Sequence, residues 1–198
     1  MTQLMPVVTK RGGRPQLDRL RFGVLAPARI PGERPLLLAN ARAETLTTKP
    51  AFREAARTRR CLVPADGFYE WEKAGTTRLP HYFTLMERRP FFFGGIYEPA
   101  RGHEPGSFCI VTTSPNPLLA AIHDRMPVLL GPNSGPAWLG DEPLPDARLA
   151  QLCRPLPADL MTSHRVDQRM NSVRYESANA MAPVGMSQHT PPFGHPSS

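Results

Sequence analysis

A chain of 198 residues, 40% hydrophobic and 21% charged, is long enough for one domain with a proper core and short for two. The formal net charge is +7 and the pI about 9.9. No apolar run reaches the about 18 residues of a membrane span, and residues 1–14 lack the apolar stretch of a signal peptide. Cys61, Cys109 and Cys153 are odd in number, widely spaced and without a C-x-x-C pair, which excludes a disulfide scaffold and a zinc framework. They read as small core residues.

Proline accounts for 24 residues, so long helices are disfavoured and a strand-and-turn protein with short helices is expected. Of the basic residues only Lys10, Lys49 and Lys73 are lysine, and the rest are arginine. Guanidinium groups pair bidentately with phosphate, which points to a nucleic-acid partner. A high-GC genome inflates Arg, Pro, Ala and Gly together, so composition leaves both explanations open.

Residues 1–14 are polar and basic around a short apolar piece at 4–8. Residues 21–25 predict a short strand, and 26–35, with three prolines and a glycine, a loop. The apolar run 36–38 leads into Asn40-Ala-Arg-Ala-Glu-Thr45. Thr48 as N-cap and Pro50 in the first turn predict a helix over 51–60. Arg53, Arg57 and Arg60 share one face of it, which reads as a solvated face, with Phe52, Ala55 and Ala56 inward.

Residues 61–64 predict a buried strand, Ala65-Asp66-Gly67 a turn, and 68–72 an aromatic strand. Period-2 geometry puts Phe68, Glu70 and Glu72 on one face of that strand and Tyr69 and Trp71 on the other. A glutamate among rings is either an acid–base group whose pKa burial raises or the ion-pair partner of a nearby arginine. Residues 80–86, 90–97 and 107–113 predict three strands of an antiparallel meander.

Ser114 as N-cap and Pro115 at the first position predict a short helix ending near Ile122. His123, followed by Asp124 and Arg125, is either a group titrating near neutrality or a capping or core histidine. Residues 128–130 are apolar, Trp138 and Leu139 fall in a second short helix, 143–157 is mixed and Pro-rich, and 164–184 alternates loosely. Residues 185–198 predict a disordered tail.

Chemistry-bearing residues concentrate in three motifs. They are Asn40-Ala-Arg-Ala-Glu-Thr45, Arg59-Arg-Cys-Leu-Val-Pro-Ala-Asp-Gly-Phe-Tyr-Glu-Trp71 and Ile122-His-Asp-Arg-Met-Pro-Val128. None has metal-ligand spacing, and there is no Walker loop, G-x-S-x-G or G-x-G-x-x-G. The residues alone thus predict a basic, single-domain α+β protein with a Glu/His site.

In order and spacing, the three motifs resemble the SOS response-associated peptidase (SRAP) family, the abasic site processing proteins. Weaker resemblance runs from Thr2-Gln-Leu-Met-Pro-Val-Val8 through Phe22-Gly-Val24 and on to residues 166–184, where Met170-Asn-Ser-Val173 resembles the family's closing strand. The resemblance implies a β-rich α+β domain over residues 1–184, of mainly antiparallel strands with short helices, and a tail over 185–198. It also implies a monomer, without cofactor, metal or membrane association, in the cytoplasm at the nucleoid. Its partner is single-stranded DNA with abasic sites, to which the family crosslinks covalently in the SOS response. Self-processing peptidase activity goes with it.

The family's nucleophile is a cysteine that becomes the first residue once the initiator Met is removed. Its α-amine and thiol capture the ring-opened sugar aldehyde as a thiazolidine. Position by position, Asn40 resembles the asparagine that orients the sugar, Glu70 the acid–base glutamate, and His123 the histidine that assists ring opening and crosslink reversal. Arg42 and Arg125 resemble phosphate-binding arginines, joined by Lys49.

Two departures shape the expectation. The family begins Met-Cys-Gly-Arg, some tens of residues before a segment that Met1-Thr2-Gln3 resembles. The chain is therefore expected to lack the leading strand and the catalytic cysteine, and the Thr2 hydroxyl is a poorer ring-closing nucleophile than a thiol. Where the family has Trp-Gly-Leu-Ile-Pro-x-Trp, this chain has Phe22-Gly-Val-Leu-Ala-Pro-Ala28, without the stacking tryptophans. Three functions stay open: a family enzyme that crosslinks in its full-length form, a degenerate paralogue that only binds single-stranded DNA, and an unrelated hydrolase using Glu70 and His123.

Overall fold

Strand formation starts earlier than the pattern predicts. β1 (Leu4–Arg11) and β2 (Arg14–Phe22) form a hairpin about Gly12 and Gly13, whose φ values are +56° and +77°. Two positive φ angles in a two-residue loop are what a type I′ turn demands, and glycine meets that demand without strain. The computed structural model describes residues 4–26, 36–140 and 142–185; all of the expected loop at 26–35 but Ala26, all of the expected tail at 185–198 but Gly185, and residues 1–3 lie outside them.

The hairpin is followed by β3 (Val24–Ala26), β4 (Leu36–Leu38), β5 (Asn40–Arg42) and α1 (Arg53–Thr58). Then come β6 (Arg60–Ala65), β7 (Phe68–Ala74), β8 (Thr77–Leu85), β9 (Phe91–Glu98) and β10 (Ser107–Thr113). The last part holds α2 (Pro117–Ala120), β11 (Met126–Pro127), β12 (Leu129–Leu130), α3 (Ser134–Trp138), α4 (Asp146–Leu152) and β13 (Met161–Arg165). This is the expected α+β class, with mostly antiparallel strands and short helices. Among the described residues, no helix is long and apolar enough to cross a membrane.

The strand pairings close on themselves. β1 pairs with β2, β2 with β10 in parallel, β10 with β9, β9 with β6, and β6 with β1 through Leu62 and Val8. A closed ring has an inner and an outer face, and period-2 alternation sends successive side chains to opposite ones. Cys61, Val63, Phe91, Phe93 and Phe108 join one buried cluster with Val7 and Leu20. Leu62, Ile96, Cys109 and Val111 join the other, with Ala55 and Ala56 of α1 and Trp138 of α3. The three cysteines are buried and free, as expected of small core residues.

Only half of the predicted meander forms: β9 and β10 pair antiparallel as expected, but β8 does not join them. β8 pairs with β7 and β13 in a separate three-stranded sheet, while β9 pairs with β6, β10 and β12. Both edges of β9 are thus occupied, and the chain leaves β8 through Arg88 at φ +51°, which turns it away. The expected N-cap Ser114 is replaced by Asn116, whose Oδ1 accepts the Leu119 N–H at 3.0 Å, with Pro117 in the first turn. Its Nδ2 donates to the Leu156 carbonyl at 2.8 Å, so one buried amide serves two segments where a serine would serve one. Thr48 caps nothing: its hydroxyl bonds back to the Thr45 carbonyl, and α1 starts at Arg53. Residues 170–173 form no strand; Gln168–Asn171 is a 3-10 turn that Asp167 caps, and the closing strand is β13.

Arg60 departs furthest from expectation. It does not share a solvated face with Arg53 and Arg57 but opens β6, 1% exposed. Its guanidinium donates to the carbonyls of Trp138 at 2.8 Å, Ala56 at 2.9 Å, Gly140 at 2.9 Å and Glu142 at 2.7 Å, and to that of Arg57. The last carbonyls of a helix have no partner inside it. One fork of donors supplies partners at the ends of both α1 and α3.

Candidate active site

The parallel pairing of β5 with β10 sets Asn40 beside Ile110 and Arg42 beside Thr112. On its other side Thr112 pairs with Pro127 of β11, which follows the 123–125 loop. β10 therefore brings the first and third sequence motifs together. The second motif arrives on β7, whose alternation holds as expected. Phe68 stacks on Phe83 at 5.3 Å, and Tyr69 on the other face lies 5.1 Å from Tyr82. Where the three motifs meet there is a cleft of about 410 Å³, lined by Asn40, Arg42, Glu70, His123 and Arg125, with Phe68 and Phe93 among its apolar walls.

Glu70 has its pKa raised, first by burial; the His123 and backbone contributions oppose the rise, and the Asp124 charge adds to it. Its electrostatic neighbours are His123 and Asp124, not an arginine. Glu72, two residues on, accepts from His81 Nε2 at 3.1 Å. His123 is held at one edge. Nδ1 lies 3.0 Å from the Arg125 amide, which donates to it, and 3.1 Å from the Arg125 carbonyl and 3.4 Å from the Asp124 carboxylate, which accept. A neutral ring either accepts the amide bond at Nδ1 and carries its proton on Nε2 or donates from Nδ1 to the Arg125 carbonyl; an imidazolium donates to the two acceptors. Either way the Nδ1 edge is occupied and Nε2 is left for the cleft.

Arg125 reaches the cleft wall with its head engaged. Nη1 and Nη2 each donate to a Glu44 oxygen at 2.8 Å, and Nη2 also donates to the Thr112 carbonyl at 2.7 Å. The bond to Arg125 pulls the Glu44 carboxyl below its usual range. Arg42 lines the cleft and is exposed. Lys49 is exposed on the turn before α1, outside the cleft lining, where its carbonyl accepts from Phe52 and Arg53. The structure thus brings five of the six sequence-predicted site residues into one cleft and leaves out Lys49.

Sequence reasoning passed over the apolar walls, Phe68 and Phe93, and the carboxylate Glu44. The strand alternation that set Phe68 on the face of Glu70 was a usable signal for the first; Glu44 stood inside the first motif, but nothing local singled it out as the partner of Arg125. Among the described residues, no group of His, Cys, Asp and Glu could hold a metal ion. Burial pushes the thiols of Cys109 and Cys153 up to about 12, and that of Cys61 well above its usual value.

The family model "SOS response associated peptidase (SRAP)" matches residues 1–173. Abasic site processing protein YoaM of Bacillus subtilis (strain 168) is 35% identical over 184 residues, covering 91% of this chain and 81% of that protein. Abasic site processing protein YedK of Escherichia coli (strain K12) is 30% identical over 151 residues, covering 74% and 68%. A crystal structure of a protein from Bacteroides thetaiotaomicron superposes with a TM-score of 0.74 at 26% identity, covering 90% of this chain and 80% of that one.

Proposed function

Since the chain belongs to the SOS response associated peptidase family, we propose that it processes abasic sites in single-stranded DNA, and that the cleft between β5, β7 and the 123–125 loop is where the baseless sugar is handled. The observation that carries this reading is the pairing of Glu70, a carboxyl raised by burial, with His123 in one cleft. Abasic deoxyribose is mostly a closed hemiacetal. Opening it takes a proton from the C1 hydroxyl and gives one to the ring oxygen, leaving an aldehyde with no net gain or loss of protons. A carboxyl whose pKa burial raises and an imidazole with a free Nε2 are suited to those two transfers. Asn40 offers both a donor and an acceptor to orient the sugar hydroxyls. Arg42, exposed at the cleft, serves a flanking phosphate.

Covalent capture follows from the aldehyde. An α-amine condenses with it to a Schiff base, releasing water, and a thiol on the same residue adds across the C=N bond to close a thiazolidine. Cys61, Cys109 and Cys153 are unsuited to the thiol's part, because all three are buried and their pKa values raised. Their burial favours a second reading, in which these residues hold abasic DNA without a lasting covalent link.

The test uses labelled single strands with and without one abasic site. Anisotropy titration is expected to show preference for the abasic strand and an affinity that falls with salt. A denaturing gel, with and without borohydride, then separates capture from binding. Equal affinity for intact and abasic strands, with no trapped adduct, would overturn the reading.

A further inference from the structure

On the reading of the cleft just given, we propose that Glu44 is a positioning residue that sets His123 by way of Arg125. Glu44 is absent from the cleft lining. It stands in the 3-10 turn Ala43–Thr45, directly after the strand that carries Asn40 and Arg42. Its two oxygens take both terminal nitrogens of Arg125 at 2.8 Å, and the Thr112 carbonyl takes one of them at 2.7 Å. A two-pronged bond fixes direction as well as distance. The Arg125 side chain is 19% exposed and that of Glu44 52%, so the pair lies at the surface with its guanidinium covered and its carboxylate half open to water.

The consequence lies at the other end of the same residue. The Arg125 amide is the group that donates to His123 Nδ1. With the guanidinium held by Glu44 and β10, the main chain of Arg125 is restrained from the far end of its side chain, and the imidazole is bonded to it. A single ion pair thereby ties the wall that bears Asn40 and Arg42 to the loop that bears His123. Glu44 takes the end-on fork of the guanidinium, the Thr112 carbonyl takes the second Nη2 proton and Nε is buried, so in this arrangement no two-pronged face of Arg125 is open to a phosphate and the residue acts by placement.

Glu44→Gln keeps the size of the side chain and removes the charge. In protein labelled with 15N-histidine, long-range proton–nitrogen NMR above the histidine titration reads the tautomer. The unmodified protein is expected to show His123 with its proton on Nε2. Glu44→Gln is expected to show mixed tautomers and borohydride-trapped adduct forming about 10- to 100-fold more slowly, with affinity for the abasic strand and the thermal midpoint little changed. Arg125→Lys keeps the charge but cannot make the two-pronged bond; it is expected to give the same mixed tautomers and serves if Glu44→Gln does not fold. His123 signals unmoved in a folded variant overturn the proposal. Tighter DNA binding with those signals unmoved also overturns it, and shows instead that Glu44 competes with phosphate for Arg125. If the unmodified protein neither prefers abasic DNA nor traps it, the reading of the cleft fails, and the NMR comparison still decides the role of Glu44.

Discussion

Replacing Arg60 with methionine keeps the length and apolar stem of the side chain and deletes every donor of its guanidinium. Five carbonyls then lose a partner. Those of Gly140, Glu142 and Arg57 are bonded at partly buried positions that water can reach, whereas the bonds to Trp138 and Ala56 are buried. Charge-assisted hydrogen bonds contribute about 1.5–3 kcal/mol each, so the two buried ones together contribute about 3–6 kcal/mol. Removing a cation from the interior recovers part of its lost hydration, which offsets some of this. A net loss of about 3 kcal/mol is a large share of a typical stability of about 5–15 kcal/mol. In a chain of this size it lowers the melting temperature by about 6–12 °C. Thermal unfolding followed by circular dichroism measures it, with Arg60→Lys, which restores only some of the donors, expected in between. A melting temperature for Arg60→Met within about 2 °C of the unmodified protein would refute the idea that this guanidinium is the shared terminus of α1 and α3.

Glu70→Gln should raise stability at neutral pH while slowing adduct formation by about 100-fold or more. Because burial raises the folded-state pKa of Glu70, the stability it contributes is full below the ordinary carboxyl pKa and is lost as pH rises through the folded value, a loss that Gln escapes. Melting temperatures of the two proteins from acid to neutral pH should therefore diverge, and parallel curves would contradict the pKa assignment. Arg42→Ala should weaken binding to all single-stranded sequences alike and flatten the plot of log affinity against log salt by about 0.7; loss confined to particular sequences would point to a base contact instead. Cys61, Cys109 and Cys153 should resist a thiol reagent at pH 8 in the folded protein and react in denaturant, since Cys109 and Cys153 titrate only at about 12 and Cys61 is fully buried; rapid labelling of the folded chain would reopen the question of which group captures the aldehyde.

What could be read from the sequence was what local pattern controls. The aromatic strand at 68–72, the buried strand after Arg60 and the strand at 107–113 all formed where alternation placed them. The first and third motifs met in space because β10 pairs with one of them on each side, a long-range fact that no window of sequence contains. The hairpin at 4–22 was missed although Gly12-Gly13 signalled it, because the polar outer face of β2 hides the alternation. Arg60 was misplaced for the opposite reason. Its spacing from Arg53 and Arg57 fits a helix face, but α1 ends at Thr58, and three of the five carbonyls that hold the guanidinium come from a segment about 80 residues away. Glu44 and Arg125, which are 81 residues apart, are invisible as a pair for the same reason.

The cleft is lined from two bodies of the fold. Glu70 belongs to the three-stranded sheet of β7, β8 and β13, whereas Asn40 and Arg42 are paired to the closed ring through β10. Between the bodies lie rings: Phe68 stacks on Phe83 within its own sheet and meets Phe93 of β9 edge-on at 5.9 Å. The opening between Glu70 and the wall that bears Asn40 is therefore set by the thickness and tilt of a hydrocarbon layer. Exchanging one carbon skeleton for another at Phe68 or Phe93 resets the aperture and leaves every charge in the cleft as it was. Drift in what such a cleft admits can thus proceed through residues that take no part in proton transfer.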